Sequence, residues 1–133
     1  MLMKPQLHYQ GQYRGDGSVV TFTSVHIVST ALLCGALVFA AGLWRLRGQW
    51  WQALIIGGLS ALAVWAWRMS ANMPQLNDDG SQGFSANDWA APMLAYLVLV
   101  GYADLRKPSD AARYNQVRAL AGLVCLVVNV VTI

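Results

Sequence analysis

The side chains able to do chemistry in this chain are few and far apart. His8 and His26 are its only histidines, Cys34 and Cys125 its only cysteines, and all six acids are aspartates. Proton transfer near neutral pH needs a base within hydrogen-bond reach of its partner, yet neither histidine has a cysteine, serine elbow or carboxylate at motif spacing. A haem held between two histidines would need a second one within the apolar part of the chain, beside His26, and none is there. No H-x-x-x-H pair offers a zinc site, and no glycine-rich stretch has the form of a phosphate loop. Cys34 and Cys125 each fall inside an apolar run, where a thiol behaves as a small hydrophobe, so neither a disulfide nor a metal pair is expected. The stretch "NDDGSQGFSAND" collects Asn77, Asp78, Asp79 and Asp88, all hard oxygen ligands. It lacks the alternating register and the distal bidentate acid of a calcium loop, and is expected to be a structured turn. The inventory therefore predicts no catalytic site, no metal and no cofactor, and a protein that is not an enzyme.

Polar groups in or beside the apolar runs carry more information, because each is costly in hydrocarbon and usually finds a partner. Arg68 is expected to snorkel from the end of its helix as an interfacial anchor, with Asp78, Asp79 or Asp88 as its candidate counter-ions. Asp104 ends a helix where Arg45, Arg47 or Arg106 could neutralise it. Tyr102 stands two residues before it. Asn129 lies deep in the last apolar run, and an amide there is expected to bridge to another helix.

The elements that must position these residues follow from composition. Of the 133 residues, 56% are hydrophobic and 11% charged, against about 25% charged in ordinary soluble domains. The net charge of +3 is small and scattered, which reads as membrane topology and gives no surface for nucleic acid. Four runs approach the length needed to cross about 30 Å of hydrocarbon: residues 25–43, 50–67, 89–103 and 117–133, the last two being short. Residues 1–24 form a polar N-terminal segment with no apolar core after Lys4, so a cleaved signal peptide is not expected. Residues 70–88 carry the Pro, Gly, Asn and Asp density of a loop. Ser85 and Asp88 mark the start of the third helix; Pro108 stops it and Ser109 can cap the next, with residues 110–116 along the membrane interface before the chain turns into the bilayer. The expected fold is all-α, an integral membrane four-helix bundle.

Its orientation follows from charge. If "LWRLRGQWW" faces the cytoplasm, Arg45, Arg47, Arg106, Lys107, Arg113 and Arg118 are inside, and only Lys4, Arg14 and Arg68 are outside. Both termini then lie on the outer, periplasmic side of a bacterial inner membrane. Trp44, Trp50 and Trp51 form the inner aromatic belt, and Trp65, Trp67 and Trp89 the outer one. Within the bilayer, small residues spaced four apart offer close helix contacts: Ala31 and Gly35, Ala36 and Ala40, Gly57 and Ala61, Ala91 and Ala95. Gly35, Gly57 and Ala61 are the chief packing candidates, between helices of one chain or between copies.

With its outside N-terminus, arginine-bearing hairpin "LWRLRGQWW", small-residue faces and "MLMK" start, the chain resembles the phage holins. The likeness covers most of the chain in architecture and contains no specific motif. It implies a self-associating protein that permeabilises the inner membrane of its host. The apolar "VVNVVTI" and a fourth span depart from that pattern. A second resemblance, of "GYADLRKP" and the helix after it, is to quinone-site anchor subunits of respiratory dehydrogenases. That likeness would carry roles to Tyr102 and Asp104 and make the protein an accessory subunit of a larger membrane complex. Small channels and transporters are a third class, although four-helix exporters need an embedded glutamate and this chain has none. The partners expected are thus the lipid bilayer, and either further copies of the chain or a larger complex.

The orientation is directly testable. Reporter fusions after Gln49 and after Pro108 should both read cytoplasmic and one after Gly80 periplasmic; a periplasmic reading at Gln49 would invert the arrangement.

Overall fold

The structure is a computed structural model that describes residues 22–77 and 85–132. Among these residues there are five helices and no strand: α1 Ser24–Arg45, α2 Trp50–Ser70, α3 Pro74–Asn77, α4 Ala86–Arg106 and α5 Ala111–Val131. Most of the expected polar N-terminal segment, with Lys4, His8 and Arg14, lies outside the described residues, as do Asp78 and Asp79.

Local chemistry sets the helix ends. Thr23 caps α1, its hydroxyl accepting from the His26 N–H at 3.3 Å, while the His26 ring stacks on Phe22 at 5.1 Å between centroids. The α1 to α2 turn is closed by the Leu46 N–H donating to the Gly42 carbonyl at 2.7 Å, and it passes through Gly48 at φ 79°, a conformation that glycine adopts without a steric penalty. Helix α4 stops at Lys107, which takes a left-handed φ of 43° immediately before Pro108. Asp110, and not Ser109, caps α5, accepting from the Arg113 N–H at 3.0 Å. The helix therefore begins at Ala111 and absorbs the residues expected to lie along the interface. The apolar run read from hydropathy begins later, at residue 117, because residues 113–116 are polar, yet they continue the backbone ladder of the same helix. The short α3 occupies part of the stretch expected to be loop.

Helices α1, α2 and α5 are long and apolar enough to cross a membrane. Helix α4 has the length, with 21 residues, but its first turn carries Asn87 and Asp88. Both of those side chains are wholly buried within the protein. In contrast, the outward faces are strongly apolar: Leu32 on α1, Leu62 on α2, Leu97 on α4 and Leu123 on α5 are 57 to 64% exposed. An apolar surface reaching all four long helices far exceeds the patches that soluble proteins present to water, and it suits lipid.

Inside, α1 packs on α2, α2 on α4, α4 on α5 and α5 on α1. The α1–α2 contact is the tightest and rests on small residues. A Cβ added at Gly35 would lie 2.7 Å from the Ala61 Cβ and 2.9 Å from the Gly57 carbonyl oxygen; one at Gly57 would lie 2.7 Å from the Gly35 carbonyl oxygen and 2.9 Å from the Phe39 Cβ. Seven residues, about two turns, further along α1, Gly42 meets Ala53 in the same way, at 2.9 Å. Gly35, Gly57 and Ala61 thus meet each other within one chain, where backbones approach closely enough for dispersion contacts to replace the missing hydrophobic drive. Across the molecule, the buried Tyr114 of α5 donates its hydroxyl hydrogen to the Leu99 carbonyl of α4 at 2.6 Å.

Gly57→Leu should force α1 from α2 and destabilise the fold by about 1–3 kcal/mol or more, the usual cost of overpacking. Gly58→Leu, at a position with nothing within 4 Å of an added Cβ, should be tolerated. Thermal unfolding of both variants in mild detergent would check this, and equal behaviour would show that the close contact does not hold the helices.

Candidate functional site

Where α1 begins and α2 ends, the interior is polar. Arg68, in the last turn of α2, is 4% exposed and points into the protein. Its Nη2 donates to Asp88 Oδ1 of α4 at 3.0 Å and to Asn129 Oδ1 of α5 at 2.7 Å; its Nε donates to the same Asn129 oxygen at 2.9 Å. The Phe22 ring lies 5.5 Å from the guanidinium carbon, placing a π-face beside the cation. Asp88, one of its expected counter-ions, does pair with Arg68, but the side chain turns inward and does not snorkel outward as an interfacial anchor, because α4 and α5 each offer it an oxygen within the protein.

The partners are satisfied in turn. Asp88 Oδ2 accepts from the Ser85 N–H at 2.7 Å and from its hydroxyl at 3.0 Å, so the carboxylate receives three hydrogen bonds while starting α4 at the positive end of its dipole. Asn129 Nδ2 donates to the Cys125 carbonyl one turn back at 2.6 Å and approaches Cys34 Sγ at 3.9 Å, reaching α1. One amide therefore joins α5 to both α2 and α1. Cys34 and Cys125 are both wholly buried as free thiols.

A second network continues from the first. Asn87, beside Asp88 and wholly buried, accepts from Trp67 Nε1 at 2.9 Å and donates to the Ala71 carbonyl at 2.9 Å and to Asn77 Oδ1 at 2.6 Å. Asn77 donates to Asn72 Oδ1 at 3.0 Å, and Asn72 pairs with both backbone groups of Phe22, at 3.0 and 2.8 Å. Thr30 of α1 donates to Thr132 beyond α5 at 3.2 Å. Asn87, Asn72 and Phe22 were not singled out by sequence and Asn77 only as an oxygen ligand within a turn; for Asn72 and Asn77 the Asn-rich "MSANMPQLN" was the available signal.

Of the remaining residues with expected roles, Tyr102 is half-buried with its ring 6.1 Å from that of Tyr114, and Asp104 is exposed without an ion pair among the described residues. Two positions apart on a helix, they project from different sides and do not build one pocket. No group of three or more His, Cys, Asp or Glu suited to a metal occurs among the described residues. The arrangement that does form is a buried, charge-balanced ion pair with its acceptors occupied. It presents no lone nucleophile and no open carboxylate, and its chemistry is that of a clasp binding α2, α4 and α5 through charge-assisted hydrogen bonds.

Removing one member leaves a buried charge unpaired, which typically costs about 3–5 kcal/mol. Arg68→Leu should therefore destabilise the protein strongly, and Arg68→Leu with Asp88→Asn should recover a large part of the loss. Unfolding of the single and double variants in mixed micelles would measure the coupling; additive losses would mean that the pair does not act as a unit. Comparison of the chain with protein families, with curated proteins and with solved structures finds no match.

Proposed function

We propose that the protein is a non-catalytic, multi-pass four-helix bundle of a bacterial inner membrane, serving as an accessory or anchor subunit of a larger membrane assembly. The observation that carries this reading is the clasp of Arg68, Asp88 and Asn129 inside the chain. The polar side chains best suited to line a water-filled path are paired with each other, and the small-residue faces of α1 and α2 are spent on contacts within one chain. What remains outward is an apolar surface, which suits lipid and the apolar faces of neighbouring subunits. In this arrangement α4 crosses with its two polar residues covered by α2 and α3, and both termini face the periplasm.

A second reading, the holin-like permeabilising protein, is favoured by the arginine-bearing turn between α1 and α2 and by the exposed Trp44, Trp50 and Trp51 beside it, an architecture suited to massing in one membrane. In that reading a water-filled path would have to form between copies or break the clasp.

Expression of the chain alone in bacteria, with a potential-sensitive dye, separates the two. The accessory role predicts steady membrane potential and continued growth, with the chain in the membrane fraction. Abrupt, timed collapse of the potential would overturn it in favour of permeabilisation.

A further inference from the structure

At the opposite end of the molecule from the clasp, the turn after α1 meets the start of α5. Leu46 is 3% exposed and plugs the turn into the core, so Arg45 and Arg47 are fixed on either side of a buried residue. Arg113, in the first turn of α5, is steadied from the opposite side: Asp110 Oδ2 lies 3.2 Å from its Nε, while Asp110 Oδ1 caps the helix. Together with Trp44 and Gln116, these three arginines line a cavity of about 240 Å³.

The balance of charge in this cavity is uneven. Asp110 is the one acid that pairs with its arginines among the described residues, leaving Arg45 and Arg47 without a carboxylate. Arg45 lies over the Trp44 ring, with 4.6 Å from guanidinium carbon to centroid, and its Nε is buried with no hydrogen-bond partner. A buried, unused guanidinium donor is costly unless a ligand receives it. The donors are planar forks of the kind that match the oxygens of a phosphate. Trp44 is 68% exposed, and Trp50 and Trp51 stack beside the same turn, as aromatic side chains do at the level of lipid headgroups. A basic cavity between helices at that level is the arrangement that receives acidic lipid headgroups.

We propose that Arg45, Arg47 and Arg113, with Gln116, form a binding site for a phosphate group, carried by an anionic phospholipid or free in solution. The cavity takes the phosphate between the α1 to α2 turn and the start of α5, and Trp44 closes its membrane side. This site does not rest on the accessory-subunit reading and would serve either function.

The test uses the full chain in a neutral detergent, with intrinsic tryptophan fluorescence and thermal unfolding read during titration at fixed ionic strength. The probes are phosphatidylglycerol, phosphatidylcholine and inorganic phosphate. Phosphatidylglycerol should bind in preference to phosphatidylcholine. Arg45→Gln and Arg47→Gln should each weaken it by roughly fivefold, while Arg106→Gln, which removes an exposed charge at the same end but outside the cavity, should change it less than about twofold. Arg47 is exposed, so its variant is expected to fold, and unchanged helical circular dichroism would verify this. Competition by millimolar inorganic phosphate assigns the site to the free anion; lipid binding without such competition assigns it to the headgroup. Equal binding of the two lipids with no effect of phosphate, or a loss in Arg106→Gln matching that in Arg47→Gln, would overturn the proposal.

Discussion

A charge removed from water has to be answered by another, and the end of this molecule where α2 finishes is built around that constraint. Arg68 lies inside the protein on a helix apolar enough to cross a membrane, so its guanidinium must find oxygens from neighbouring helices. Asp88 comes from α4 and Asn129 from α5, and each is wholly buried. The paired ions do not add net stability in proportion to their Coulomb attraction, because both had to be desolvated. Their larger effect is on specificity, since a shifted or rotated α4 or α5 would leave the arginine without its partners.

The α1–α2 contact works by the opposite means. It contains no charge and depends on the absence of side chains at Gly35, Gly57 and Gly42, which lets backbones touch. One half of the fold is thus held by shape and the other by directed polar bonds. Tyr114 adds a single hydrogen bond between α4 and α5 away from the clasp, fixing their spacing with one buried hydroxyl. This division explains how a short chain with few acids can specify one arrangement of helices in a solvent where apolar burial discriminates poorly.

Much of this architecture was legible in the sequence. The four apolar runs fall within the four long helices to within a few residues at most ends, because hydrocarbon length and apolar composition are local properties. The Ser85 and Asp88 start signal was legible for the same reason. For α5 the capping signal lay one residue early, at Ser109 against Asp110, whereas the apolar run began six residues late, since hydropathy marks where lipid begins and says little about where a helix does. The fate of Arg68 was legible only in its counter-ion Asp88. Its partner Asn129 is 61 residues away, and only the packing of α2 against α5 decides that the side chain turns inward. The signal present in the sequence was weaker: an arginine, an aspartate and an asparagine, each alone beside or within an apolar run, need one another more than any needs the interface. The asparagine network around Asn87 depends likewise on α3 and α4 folding back on the end of α2, which no local pattern reports.

The order of the clasp's members along the chain has a consequence for how the protein is made. A growing chain emerges with α1 and α2 first, and their close contact needs nothing that follows. Arg68 is then already at the end of α2, while Asp88 lies 20 residues and Asn129 61 residues further on. Until those arrive, the guanidinium must keep its hydration, which holds that end of α2 at water. The fourth long helix to be synthesised supplies the amide that completes the set, so a nascent chain halted before Asn129 leaves two of the guanidinium's three hydrogen bonds unmade. Such an intermediate keeps guanidinium donors open to water, and the finished protein closes them by folding.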